Sequence, residues 1–308
     1  MGAAEIPSFK LNDGSVIPSV GMGCYMGGGA FTEKQVHDMC QKAIKAGYRH
    51  FDTAPGYGNE QQVGDAIRDS GISRSEFYIT TKLANGDHHR VREAFEESLK
   101  RLDMEYIDLY LLHWPQASAG DIDFSQINAP NMALPPDEHP TFVETWKEIE
   151  KLLGTGKVRS IGVSNFSIKT LEELLPQCSV VPATNQVELH PCLPQDDLKA
   201  YCASKGILLT AYSPLGRSKS FFGEQHLICD LAAKGTVIVP KSENESRIQA
   251  NIQLLKLSEE DMHEVDVFHS KPGMHKSLVP FHADDGSVYG WKYEWLGWNM
   301  TKGGVVPQ

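Results

Sequence analysis

No apolar run in this chain of 308 residues approaches the roughly 18 consecutive apolar residues a membrane-crossing helix needs. Basic residues are in deficit, with 29 Lys and Arg against 40 Asp and Glu and a formal charge of −11. Affinity for nucleic acid rests mainly on cationic contacts to phosphate, so this balance argues against a nucleic-acid binder. It leaves room for one local basic cluster around a phosphorylated cofactor. Cysteine is sparse and scattered, at Cys24, Cys40, Cys178, Cys192, Cys202 and Cys229, with no CxxC pair. Neither a zinc ribbon nor a redox dithiol is indicated, and reduced, mostly buried thiols are the expectation. No HExxH is present, and His88-His89 falls at an expected helix start, so no metal site is expected. A flavin motif, a low-complexity tract and a Pro/Gly/Ser-rich linker are all missing, which leads us to expect one domain over residues 1–308. The opening MGAAEIPSFK has no basic stretch followed by an apolar one, and Ile6 stands where a myristoylation motif wants Ser or Thr. The expected location is cytoplasmic.

Apolar residues make up 41% and charged residues 22%, enough for a chain of this length to bury a sizeable core. Asp13-Gly14, between short apolar stretches in Ser8–Pro18, reads as a hairpin turn. Strands are expected near 19–23, 49–52, 77–81, 107–112, 158–163, 182–186, 207–211 and 236–239. Helices are expected near 33–47, 59–69, 88–102, 141–154, 167–175, 195–205, 224–234 and 244–254. Thr32 and Glu33 open a stretch in which Val36, Met39, Cys40, Ala43 and Ile44 recur at helical spacing until Gly47. The run IDLYLL at 107–112 is nearly all apolar, as a strand buried on both faces should be. Eight strands each followed by a helix imply parallel pairing, and within this length a closed (β/α)8 TIM barrel more than an open sheet. The stretch GMGCYMGGG at 21–29 is superficially similar to a dinucleotide fingerprint, but Met26 replaces the third glycine and the next helix starts only near Thr32. A Rossmann fold is therefore rejected.

Two segments break the rhythm. The loop from Pro115 to Pro140 is long, and long ordered loops are usually functional. The tail after about Ser270 carries Tyr289, Trp291, Tyr293, Trp295 and Trp298 without a clear period, and is expected to line the substrate pocket. A barrel builds its active site at the C-terminal ends of its strands. The residues there are Asp52 and Tyr57, Lys82, His113, Ser164 and Asn165, Gln186, Tyr212, then Lys241 and Ser242. Asp, Tyr, Lys and His in one pocket have a definite use. A Lys ammonium beside a phenol stabilises the phenolate, which is expected to lower the Tyr pKa from about 10 towards the working range. A carboxylate keeps that Lys charged, the Tyr acts as general acid towards a substrate oxygen, and the His donates a hydrogen bond to the same atom.

With those residues in view, the chain resembles the aldo-keto reductase superfamily, of the aldose/aldehyde reductase type. The resemblance is carried by GYRHFDTAPGYGNE (47–60), ITTKL (79–83), DLYLLHWP (108–115), GKVRSIGVSNF (156–166), NQVELHP (185–191), AYSPLG (211–216) and VPKS (239–242). These seven stretches stand in the family's order and span most of the chain. The resemblance implies NADPH-dependent reduction of an aldehyde or ketone to an alcohol in a soluble monomer or homodimer. By motif, Tyr57 would be the general acid/base, Lys82 and Asp52 its pKa-setting partners, and His113 the orienting donor. Ser164, Asn165 and Gln186 would hold the nicotinamide carboxamide and Tyr212 would stack on its ring, with Ser213 and Leu215 also at the cofactor. Lys241, Ser242 and Arg247 would grip the 2′-phosphate, and Asn251 the adenine. Tyr25 and Trp114 would line the substrate pocket. Cys24-Tyr25 replaces the Thr-Trp of many members, and Ala250 stands where an acidic adenine partner is usual. Only 25 residues separate Pro214 from Pro240, roughly twenty fewer than in most relatives, which is expected to weaken cofactor retention. Two other readings compete with the reductase. One is a cofactor-binding but inactive regulatory relative, and the other a lyase that uses Lys82 as a Schiff-base nucleophile.

Overall fold

The chain begins with a hairpin of β1 (Ser8–Lys10) and β2 (Val16–Pro18), in which Phe9 stands opposite Ile17. In this computed structural model residues 6–27, 31–120, 133–216, 232 and 234–307 are described. Asp13 makes the turn compact by accepting from Ser15 N at 2.8 Å. Leu11 and Ile17 are buried against Tyr78, Leu109, Leu111, Ala183 and Val237, so this end of the barrel is closed by apolar side chains.

Eight parallel strands follow: β3 (Met22–Gly23), β4 (His50–Asp52), β5 (Tyr78–Leu83), β6 (Ile107–Leu112), β7 (Val158–Ser164), β8 (Thr184–Glu188), β9 (Leu208–Tyr212) and β10 (Val237–Val239). They are hydrogen-bonded in chain order from β3 to β10. A parallel bridge between Val20 and Ile238 brings the two edges together, with Gly21 N donating to Ile238 O at 2.8 Å and Gly23 N to Pro240 O at 3.0 Å. At that seam a Cβ on Gly23 would lie 2.7 Å from Val239 O, so only glycine permits the close approach. Strands β5 and β6 are buried along their whole length, as expected for strands covered on both faces.

The helices pack around this ring. Glu33–Ala46 starts at a capping box made by Thr32 and Gln35, buries Val36, Met39, Cys40, Ala43 and Ile44, and ends at Gly47 with φ +106°. Further helices run over Glu60–Asp69, Val91–Leu102, Phe142–Leu152, Ile168–Leu174, Asp196–Ser204 and Glu245–Ile252. All but Ala232 and Lys234 of the helix expected near 224–234, and with it most of the shortened crossover, lies outside the described residues. A helix at Glu259–Asp266 was not expected, because only Val265 of its eight residues is buried and there is no apolar stripe to read. Nor is the tail featureless: β11 (Ser287–Val288) pairs with β12 (Trp291–Lys292), and a short helix follows at Tyr293–Leu296.

A buried ionic clasp ties the tail to the barrel. Glu188, at the end of β8, receives His190 Nε2 at 2.8 Å, Ser277 Oγ at 2.5 Å and Leu278 N at 2.7 Å. Burial opposes the charge on His190, but Cys192 and Glu188 outweigh it and raise its pKa from 6.5 to about 9. Burial likewise opposes the Glu188 carboxylate, but His190, Ser277 and Leu278 N hold its pKa below 4.5. Linkage fixes the window. The His190 contribution is complete below pH 6.5 and is lost as pH rises through about 9. The Glu188 contribution is present above pH 4.5 and is lost as pH falls through its lowered value. We expect the melting-temperature gap between wild type and His190→Gln to be widest between pH 4.5 and 6.5, to narrow as pH rises above 6.5 and to be largely gone above about pH 9. A gap that stayed constant with pH would mean that His190 is not charged in the folded protein.

Candidate active site

The C-terminal ends of the strands converge on a cavity of about 270 Å³. Asp52 closes β4, and the chain then turns through Pro55–Tyr57, which brings Tyr57 back over the barrel mouth. Lys82 comes from β5, and His113 follows β6 directly. Asp52, Tyr57 and His113 line the cavity with Ser164, Asn165, Gln186 and Tyr212. Tyr25, Trp114, Ser213, Leu215 and Lys241 complete the expected residues on its wall. Lys82 is fully buried behind the wall. Ser242, Arg247 and Asn251 are not on the cavity wall: they continue from Lys241 into the Glu245–Ile252 helix.

Lys82 joins the reactive groups. Its Nζ donates to Asp52 Oδ1 at 2.6 Å and to Thr53 O at 2.9 Å, and lies 3.4 Å from Tyr57 Oη. Asp52 uses its second oxygen to accept from Gln186 Nε2 at 2.6 Å. The turn carrying Tyr57 is braced from below, since Thr53 Oγ1 donates to Asn59 Oδ1 at 2.7 Å and Asn59 Nδ2 donates to Cys24 O at 2.7 Å. The Tyr57 ring meets His113 edge-on at 5.8 Å and Tyr25 at 5.0 Å.

The electrostatics depart from expectation at the phenol. Burial of Tyr57 pushes its pKa up to about 12; Lys82 pulls it down and Asp52 adds to the rise. Desolvation of the phenolate outweighs the ammonium, so Tyr57 is not drawn towards neutrality and keeps its proton there. Burial also works against the Lys82 ammonium, but Asp52 and Tyr57 overcome it and its pKa stands above the usual lysine value. His113 is driven well below its usual value by burial, and further by the Lys82 charge, so it is a neutral imidazole.

Beside this cluster the polar side chains interlock. Tyr212 Oη donates to Asn165 Oδ1 at 2.8 Å, and Asn165 Nδ2 donates to His113 O at 2.9 Å and to Ser164 Oγ at 3.1 Å. Ser164 Oγ donates to Gln186 O at 2.8 Å. Asn165 and Ser213 hold left-handed backbone, with φ of +64° and +50°. That conformation is costly for a non-glycine residue and concentrates at functional sites. Side-chain amides and an aromatic ring stand next to the Tyr57 cluster, and an ammonium, Lys241, stands on the same cavity. Further along, Asn251 Oδ1 is buried with no hydrogen-bond partner among the described residues, an acceptor suited to an exocyclic amine. These residues fit an elongated, phosphorylated cofactor.

Two features escaped the sequence. Phe281 is the tail residue on the cavity wall, whereas Tyr289 and Trp298 pack behind Trp114 at 5.1 and 6.1 Å. Trp291 Nε1 donates to Leu134 O at 2.7 Å and fastens the tail to the loop after β6. Residues 121–132 of that loop lie outside the described residues. The second feature is Glu243, which ion-pairs with Lys241 at 2.6 Å. Among the described residues no group of three or more His, Cys, Asp or Glu side chains is arranged to hold a metal, and no helix is long and apolar enough to cross a membrane.

Comparison with known proteins agrees with the barrel fold. The family profile described as "Aldo/keto reductase family" matches residues 19–227. A glycerol 2-dehydrogenase (NADP(+)) of Saccharomyces cerevisiae is 38% identical over 304 residues, covering 88% of this chain and 95% of the relative. An aldehyde reductase from the same yeast is 40% identical over 278 residues, covering 82% of this chain and 88% of its own. Among solved structures, an aldo-keto reductase of Bombyx mori in complex with NADP superposes with a TM-score of 0.79 at 32% identity, covering 92% of this chain and 97% of that one. With its barrel and these relatives in agreement, the chain belongs to the aldo/keto reductase family.

Proposed function

We propose that this protein reduces an aldehyde or ketone to an alcohol with NADPH, as an aldehyde reductase-type oxidoreductase in which Tyr57 is the general acid. The observation that carries the reading is the buried chain Asp52–Lys82–Tyr57, with contacts of 2.6 and 3.4 Å, ending in a phenol on the cavity wall. When bound, the reduced nicotinamide supplies hydride. Ser164, Asn165 and Gln186 would hold its carboxamide and Tyr212 its ring, and Ser213 and Leu215 extend the same cavity wall. Lys241, Ser242 and Arg247 would hold the 2′-phosphate, and Asn251 the adenine.

The protein's own contribution is a proton at a fixed place. Tyr57, with its pKa at about 12, stays protonated at neutral pH and releases the proton only as negative charge grows on a substrate oxygen. Lys82 then stabilises the phenolate left behind, and Asp52 keeps Lys82 charged and aimed. His113, being neutral, donates one hydrogen bond to the same oxygen without placing a second cation in the pocket. Tyr25, Trp114 and Phe281 give the substrate side an aromatic wall suited to small and aryl aldehydes. A Schiff-base role for Lys82 is disfavoured: the amine is protonated, paired and behind the cavity wall.

The test is an equilibrium titration with NADPH, followed in the same sample by a panel of aldehydes. Saturable binding with NADPH consumption is expected. Saturable binding with no consumption across the panel would overturn the reductase reading.

A further inference from the structure

The carboxylate of Glu243 lies where a phosphorylated cofactor would least be expected to meet one. Its Oε1 is 2.6 Å from the ammonium of Lys241, which stands on the cavity wall. Both side chains keep some solvent access, 29% for Lys241 and 46% for Glu243, so this pair can exchange partners. The backbone around it is fixed. Lys42, from the helix Glu33–Ala46, reaches Glu243 O at 3.5 Å. On the other side Asn244 N donates to Ser242 Oγ at 3.2 Å, and Asn244 Oδ1 caps the next helix by accepting from Arg247 N at 3.1 Å. The segment from Lys241 to Arg247 thus carries two cations and two carboxylates, Glu243 and Glu245, with Lys42 as a third cation from outside.

This inference rests on the cofactor reading above and concerns which nicotinamide dinucleotide the site accepts. For Lys241 to grip a 2′-phosphate it must leave Glu243 or share it, and a carboxylate then stands beside a dianion. A ribose with a free 2′-hydroxyl brings no charge; its hydroxyl can donate to a carboxylate, and the Lys241–Glu243 pair stays intact. We infer that Glu243 is a specificity-determining residue, a tethered competitor of the 2′-phosphate for Lys241, so that this site takes NADH as well as NADPH. In the sequence KSENESR both carboxylates stand between the two cations.

The experiment is a binding titration, read by quenching of tryptophan fluorescence, of wild type, Glu243→Gln and Glu245→Gln with NADPH and with NADH. Wild type should bind the two dinucleotides within about tenfold of each other, and Glu243→Gln should tighten NADPH by about tenfold or more without tightening NADH. Glu245→Gln removes the same charge from the same segment without breaking the Lys241 pair, and should shift NADPH clearly less. Equal shifts in the two variants would reduce the effect to net charge and overturn the role of Glu243. So would a wild type that binds NADPH while holding NADH about a thousandfold more weakly, with Glu243→Gln unchanged. Failure of both dinucleotides to bind any of the three proteins would instead overturn the cofactor reading itself, and the inference with it.

Discussion

Tyr57→Phe is expected to lower turnover by about 10²–10⁴-fold, the usual contribution of a positioned general acid, while leaving NADPH affinity near that of wild type. The substitution removes one oxygen. The ring keeps its packing against His113 at 5.8 Å and Tyr25 at 5.0 Å, so the cavity keeps its shape. Lys82 loses its 3.4 Å contact but retains Asp52 and Thr53 O, so no buried charge is stranded. The effect therefore belongs in the chemical step and not in folding or binding. The direction of the Tyr57 shift adds a signature. Because burial holds the phenol protonated up to about pH 12, reduction should not fall as pH rises through neutrality. Alcohol oxidation needs the phenolate, so its rate should climb with pH over the same range. A variant retaining more than about a tenth of wild-type turnover would assign the proton to another group.

The second large effect is expected at Lys82. Among the described residues, Lys82→Met leaves Asp52 buried with Gln186 Nε2, at 2.6 Å, as its one side-chain donor. Removing one partner of a buried pair typically costs about 3–5 kcal/mol, because the remaining charge is left uncompensated. Denaturant unfolding should show that loss, and turnover should collapse with it, since the phenolate formed at Tyr57 would have no cation beside it. Stability and catalysis separate in the double substitution Asp52→Asn with Lys82→Met. That protein buries neutral groups at both positions and should recover most of the stability, while its turnover stays lost. If Lys82→Met were as stable as wild type, Asp52 would not be the buried carboxylate that this geometry requires.

Most of the barrel was legible in the sequence, for a physical reason. A strand covered on both faces must be apolar throughout, and IDLYLL at 107–112 is buried along its whole length. The helix Glu33–Ala46 announces itself by a cap, a buried stripe and a terminal glycine. Where burial is shallow the signal fades. Glu259–Asp266 buries only Val265, and two-residue strands such as Ser287–Val288 are too short to carry a period. The strand-end residues were legible because the barrel dictates where chemistry can stand. Their couplings were not: Gln186 and Asp52 are 134 positions apart, and nothing local announces that the amide holds the carboxylate. The pKa of Tyr57 went the opposite way from expectation because a list of neighbours conveys charge but not desolvation. Glu243 was readable in KSENESR, yet its weight depends on the 2.6 Å contact with Lys241.

The measurement that bears most directly on the central claim is the fate of hydride. Reduced cofactor deuterated at the transferring position of the nicotinamide is supplied with an aldehyde that the panel shows to be consumed, and the product is analysed by mass spectrometry. One alcohol per NADPH oxidised is expected, with deuterium on the carbinol carbon. Cofactor consumed without alcohol, or alcohol formed without the label, would contradict it.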